Sequence, residues 1–431
     1  MVVEDGPTSV RTGRESGVGL RLDNGKSAVH TFTEDISEQG CRDLALSGSE
    51  LAHTSRQVGP CPPPPNDASA LTDVSVDWPD KLRQTVLSQA GSAQKAAFSE
   101  DACIQIVRVI VRVERRRWLV LSREGLEAHD SWEHMSVKVF CTGRRGALGL
   151  TGNSSCGICG PPRANDLRAV ATGREAARRA LRLLDSRPVT GGVFDVVVAP
   201  GAGALLFHEA CGHALEADAV ERGSCLSGEL GRRLASTSVT LVDSAELEGG
   251  WGSYRHDDEG RPGRTTTLIE GGVLVSYMHD RGTASRGGAT WSANGRRASY
   301  RDQPLPRMTN TYLMPGDLHP EEIIAATAQG MYAHEFQGGQ ANPYTGDFSF
   351  SVLEAQLIRD GKLTEMVAGA TIAGNSRTFL HNVDLVGDDL KHVAATCVKS
   401  GQEVPIGVGQ PTVRLRQMSV GGFGGGSTPW T

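Results

Sequence analysis

The chain has 431 residues, a formal net charge of -6 and only 5% aromatic side chains. Such a charge gives no electrostatic case for nucleic acid or an anionic membrane, and so few aromatics argue against a base-stacking surface. No run approaches the ~20 apolar residues of a membrane span, and Met1-Val2-Val3-Glu4-Asp5 lacks the basic start and apolar core of a signal peptide, so a cytoplasmic location is expected. The nine cysteines are scattered and odd in number, which reads as mostly free thiols. The length allows two domains with separate cores.

In chain order, residues 17–22 and 28–33 alternate and read as a hairpin around Asp23-Asn24-Gly25. Glu34-Asp35-Ile36-Ser37 caps a helix running to about Ser47. The proline run at 60–65 is a stiff linker. Residues 81–94 read as a helix. Residues 103–113 alternate as a strand, which Arg115-Arg116-Arg117 is expected to end as a solvated turn. Residues 118–122 and 135–140 are further strands. Cys156-Gly157-Ile158-Cys159 offers half of a structural zinc site and reads instead as a surface loop with two incidental thiols. Residues 165–184 form an amphipathic helix broken by a Pro- and Gly-containing stretch. These elements predict an α+β chain. An N-terminal domain, 1–187, has an antiparallel sheet with flanking helices; a second domain, 188–431, follows a boundary near Arg187.

The second domain carries the chemistry. Val193-Phe194-Asp195-Val196-Val197-Val198 reads as a buried strand, and Ala199-Pro200-Gly201-Ala202-Gly203 as the turn into a helix. That helix holds His208, Glu209 and His213. Histidines four apart share a face, but a spacing of five makes them diverge by roughly 140° in a regular helix. Both reach one ion only if the helix bulges by one residue, and Gly212 is the residue most able to permit that. Two unrelated interior histidines are the plain alternative. Cys211, between them, reads as a buried structural thiol.

Further on, 236–242 reads as a strand, and Asp257-Asp258-Glu259-Gly260 as a loop whose carboxylates either orient a histidine or are merely solvated. Arg296, Arg297 and Arg307 are candidate substrate-binding cations. A hairpin at 266–275, a helix at 320–330, a flexible loop at 338–342 and repeated strand–turn–strand units after it make this domain mainly β. It is expected to be a curved sheet or barrel-like domain carrying the metal-binding helix, with a mobile tail from 421.

Five blocks occur in order: the His208–His213 helix, Asp257-Asp258-Glu259-Gly260, Asn294-Gly295-Arg296-Arg297, Pro306-Arg307-Met308-Thr309-Asn310-Thr311-Tyr312, and the segment from Cys397 to Pro411. Together they resemble the TldD/PmbA family of zinc metalloproteases, from about Phe194 to Gly422 and more faintly back to Gly17. The resemblance implies that His208, His213 and Cys397 bind one zinc ion (Zn2+) per chain and that Glu209 is catalytic. It makes the chain a TldD-type, metal-binding subunit, acting on small or unfolded peptides. The expected partner is a metal-less TldE/PmbA-type homologue in a heterodimer, or a second copy in a homodimer. Family members begin with an extra helix and strand, so the N-terminal domain is expected to be shortened here. Three protein ligands with an open position suit a catalytic rather than a structural zinc. A tailoring hydrolase that cleaves an amide or conjugate in a natural-product pathway would use the same site. A non-catalytic scaffold is the third reading, and the intact His208, Glu209, His213 and Cys397 set speaks against it.

Overall fold

The computed structural model describes residues 2–3, 9–23, 28–54, 80–160 and 168–422. The proline run at 60–65, the turn at Asn24-Gly25 and the tail from Phe423 lie outside the described residues.

The first part of the chain is built on a long antiparallel meander, Ile104–Leu121, Glu127–Arg145 and Leu148–Cys159, with Val2–Val3 added at its outer edge. Alternation puts Val107, Val109 and Val111 on one face together with Met135, Val137, Val139 and Cys141, all buried. Helices Asp80–Phe98 and Ala169–Asp185 cover that face. They meet it through Ala90, Ala93, Ala97, Ala176, Ala177 and Ala180, whose small side chains let helix and sheet approach closely. The expected turn at Arg115-Arg116-Arg117 does not occur. The alternation carries through it, and Arg115 pairs with Glu133 across the hairpin at 3.0 Å while Arg116 reaches Asp258 at 2.5 Å. Cys156 and Cys159 lie on a strand, not in a loop. Three residues apart on a strand, they face opposite sides and cannot share an ion. Eight cysteines among the described residues are free. Strands Val18–Asp23 and Ala28–Thr33 pair as the predicted hairpin, beside helix Glu38–Thr54.

Two β systems make up the remainder. Five strands close on themselves: Gln329–Ala341, Gly192–Val198, Val413–Gly421, Ala370–Asn375 and Asp347–Arg359, which returns to pair with the first. This is the barrel expected from the repeated strand–turn–strand pattern. Beside it stands a six-stranded sheet in which Leu241–Ser244, Asn310–Leu313, Gln402–Gln410 and the edge strand Lys391–Lys399 are neighbours. The largest core lies between the barrel and this sheet, around Phe207, Leu215, Leu241, Leu268, Phe350 and Phe379.

Three expectations fail locally. Residues 236–240 precede the strand rather than form it. The helix ends at Ala325. Gly338-Gly339 continue a strand instead of opening a loop. The glycines are accommodated because Phe350 of the neighbouring strand packs where a Gly339 side chain would sit. Among the described residues, no helix is long and apolar enough to cross a membrane.

Strand Glu127–Arg145 also grips the loop at 251–260. Asp130 accepts hydrogen bonds from the Arg255 and His256 amides at 2.6 and 2.9 Å. His134 is stacked between Trp132 and Trp251, with centroids 4.2 and 4.1 Å away. Burial holds the His134 imidazole down at about 4, so it stays neutral between the two indoles.

Candidate metal centre

Barrel strand Gly192–Val198 runs straight into the site. Its chain reverses at Gly201, whose φ of +79° favours glycine, and whose amide donates to the Gln410 carbonyl at 2.9 Å. The helix that follows changes pitch twice. Ala204–Phe207 is α-helical, His208–Gly212 is a π-turn, and His213–Leu215 is a tight 3-10 turn. A π-turn inserts one residue into the helical repeat, which is the bulge that a spacing of five demands. The rings of His208 and His213 consequently meet, with centroids 4.8 Å apart and planes at 78°.

Gly212 contributes in another way than predicted. Its φ of -56° and ψ of -51° are ordinary helical values. A Cβ on it would lie 2.0 Å from the sulfur of buried Met308, so glycine is required for space, not for backbone freedom. Gly212→Ala is therefore expected to destabilise the chain by roughly 1–3 kcal/mol, as overpacking does. A thermal unfolding midpoint equal to wild type would contradict this.

Cys397 comes from the edge strand Lys391–Lys399, which pairs with Gln402–Gln410 through a turn at Ser400-Gly401. A small apolar cluster of Ala204, Cys397, Val404, Ile406 and Val408 seats this hairpin on the start of the histidine helix. Cys397 Sγ lies 3.3 Å from His213 Nε2. One donor atom each from His208, His213 and Cys397 falls within 4.8 Å of the others. No other such cluster of metal-binding side chains occurs among the described residues.

The donors suit a cation. His208 is fully buried, yet neither of its ring nitrogens makes a hydrogen bond of normal geometry. An orphaned buried imidazole is costly unless something absent from the protein itself is its partner. Burial alone would push the Cys397 thiol up; the neighbouring imidazoles of His208 and His213 outweigh it and bring it down to about 4. Burial alone would likewise lower the His213 pKa, but Glu216 and Cys397 raise it well above the usual value. Each of the pair thus favours the charged form of the other, and a cation would compete with protons for these donor atoms. Glu209 is the more open group. Its side chain keeps 25% of its surface accessible, and Oε2 stands 3.8 Å from His213 Nε2.

Some residues around the centre escaped the sequence reading. Glu216 Oε2 is 2.8 Å from His213 Nδ1, and Lys399 Nζ bonds Glu216 at 2.9 Å and Asp218 at 2.6 Å. Burial alone would raise the Glu216 pKa, but His213 and Lys399 bring it to about 2. The available signal was modest: an acid three residues after a histidine, and a lysine two residues after the cysteine.

The carboxylates at 257–259 do not orient either histidine. Asp257 accepts from the Glu259, Arg261 and Gly295 amides, Asp258 pairs with Arg116, and Glu259 with Arg21. Two of the three arginines are spent internally. Arg296 donates to the carbonyls of Met308 and Pro405 at 2.5 and 2.7 Å. Arg307, fully buried, donates to those of Gln402 and Cys397 at 3.2 and 2.8 Å. The Arg297 amide donates to Asp258 at 2.9 Å, and its side chain is only 13% exposed. The Arg296 and Arg307 guanidiniums so placed brace the loop and hairpin around the centre, while the Arg297 guanidinium stands 4.0 Å from Asp258. Cys211 is fully buried in the main core, as a structural thiol should be.

A family model described as the PmbA/TldA metallopeptidase C-terminal domain matches residues 191–422, the stretch that holds this centre. The chain belongs to the PmbA/TldD family. It is a metallopeptidase, as its relatives are named. A metalloprotease from Methanothermobacter thermautotrophicus is 34% identical over 429 residues, covering 98% of this chain and 92% of its own. A metalloprotease TldD homologue from Haemophilus influenzae is 32% identical over 95% of this chain and 87% of its own. Among solved structures, TldE from Thermococcus kodakarensis shares the PmbA/TldD fold with a TM-score of 0.69 at 20% identity, over 92% of this chain and 89% of that one.

Proposed function

We propose that this PmbA/TldD protein is a zinc-dependent peptidase of the TldD type, with His208, His213 and Cys397 as ligands and Glu209 as the proton carrier. The convergence of the three donors around the unpartnered nitrogens of buried His208 is the observation that carries the reading. Two imidazoles and a thiolate favour zinc over hard cations such as magnesium or calcium. Three protein ligands are the number a catalytic zinc keeps, leaving a place for water or substrate. When bound, the ion would supply Lewis acidity toward water and a substrate carbonyl.

Within the chain, Cys397 contributes negative charge from the edge strand. His208 and His213 are fixed as donors by the π-turn. Glu209 is placed to take a proton from an attacking water and return it to the leaving amine. The substrate is read as a small or unfolded peptide. A homologous, metal-less TldE-type subunit is read as the partner, and the shared fold with a TldE supports a pairing of like with like. A cytoplasmic location agrees with the eight free cysteines among the described residues.

The test is elemental analysis of the purified chain, followed by hydrolysis of an unstructured peptide library with and without a co-expressed homologous subunit. About one zinc per chain and chelator-sensitive cleavage are expected. A chain that takes up no zinc would overturn the assignment of the ion. Cleavage that survives complete removal of metal would overturn its role.

A further inference from the structure

Lys399 sits two residues beyond Cys397 on the edge strand, so the two side chains project from the same face. Its ammonium is nearly enclosed, with 15% of the side chain exposed, and makes three contacts. They are Glu216 Oε2 at 2.9 Å, Asp218 Oδ1 at 2.6 Å and the Pro306 carbonyl at 3.0 Å. The Glu216 oxygen that accepts from Lys399 also faces His213 Nδ1 at 2.8 Å. Glu216 is itself fully buried and stands in extended conformation between the turn His213–Leu215 and the helix Ala217–Glu221.

We propose that Lys399 is a positioning residue for the metal centre: through Glu216 it fixes the His213 ring so that Nε2 faces the ion, and it ties that ring to the strand carrying Cys397. The inference rests on the zinc reading above. A buried carboxylate facing an imidazole orients it and strengthens it as a ligand only if the carboxylate cannot turn away. The three donors of a lysine ammonium match three acceptors here: two carboxylates and a carbonyl. And the link closes a short loop of contacts, Cys397 to Lys399 along the strand, Lys399 to Glu216 to His213 across space, and His213 back to Cys397. One rigid unit thus holds two of the three donors.

A merely structural ion pair would stabilise the fold without this coupling, so the experiment measures metal affinity. Zinc affinity would be determined by competition with a chromogenic chelator for wild type, Lys399→Met, Glu216→Gln and the double variant, with the metal-free fold of each checked by circular dichroism. Lys399→Met and Glu216→Gln are each expected to weaken zinc roughly 10–100-fold, the usual effect of losing an orienting partner. The double variant should lose no more than the weaker-binding single one, because both act on the same ring. Lys399→Arg, which keeps the charge and several donors, should recover most of the affinity. If Lys399→Met does not fold, Lys399→Gln, which keeps a donor without the charge, replaces it in the cycle. Wild-type affinity in folded Lys399→Met or Lys399→Gln chains, or losses that simply multiply in the double variant, would overturn the proposal. A wild type that binds no zinc would instead sink the zinc reading itself, and this inference with it.

Discussion

Glu209→Gln is expected to keep its zinc and lose turnover by roughly 10²–10⁴-fold, the usual contribution of a positioned general base. The change is nearly isosteric, and Glu209 is not one of the three converging donors. It lies on the π-turn between His208 and His213, so its main chain is fixed by the same bulge that aligns the rings. Its carboxylate is the accessible group of the centre, which leaves it free to exchange protons with a bound water. A glutamine there can still accept a hydrogen bond but cannot carry a proton from water to a leaving amine. The measurement is kcat on a peptide cleaved by wild type, with zinc content determined on the same preparation. Undiminished kcat would remove Glu209 from the mechanism. Lost zinc would show that it holds the ion as well.

How far the sequence reached depends on the kind of signal. Alternation made the first part of the Ile104–Leu121 strand legible, as far as Val113, and the apolar run 193–198 made the first barrel strand legible, because each pattern reflects one-sided or two-sided burial directly. The five-residue histidine spacing predicted a helix irregularity because helical geometry leaves no other way to bring both rings together. It could not say why residue 212 is glycine, since that depends on Met308, distant in sequence and brought in by the fold. Arg115-Arg116-Arg117 misled for the same reason. Arg115 and Arg117 are exposed as solvated cations are, but the run continues a strand, and Arg116 meets Asp258 of a loop distant in sequence.

The arginines near the centre show the limit most clearly. Arg307 has the composition of a substrate clamp and the burial of a core residue. Its partners are main-chain carbonyls, which have no sequence signature at all. Glu216 and Lys399 pose the converse problem. Each is an ordinary charged residue locally, and they gain meaning only when the edge strand docks on the helix.

Cys397→Ala is expected to fold, to lose most of its zinc, and to lose the stabilisation that zinc gives the wild type. The strand should stay in place. Residue 397 pairs with Val404 in the hairpin, and its carbonyl is held by Arg307 at 2.8 Å; neither contact uses the sulfur. Removing the sulfur therefore deletes a donor without moving its neighbours. Two imidazoles remain, one of them on a buried ring with no other partner, and two neutral ligands in place of a charged set of three bind zinc weakly. Because the ligands come from a helix and a distant strand, binding energy is also folding energy. At free zinc about 1,000 times the dissociation constant, the wild type gains about 4 kcal/mol, and its unfolding midpoint should rise accordingly. The alanine variant should show little rise at the same zinc concentration. Elemental analysis and paired thermal melts, with and without zinc, separate the outcomes. Full occupancy together with an undiminished zinc-dependent rise would mean that another residue closes the site. Low occupancy with a metal-free midpoint near wild type would show that the thiolate acts as a ligand, since a purely structural cysteine would shift the metal-free melt and leave zinc uptake unchanged.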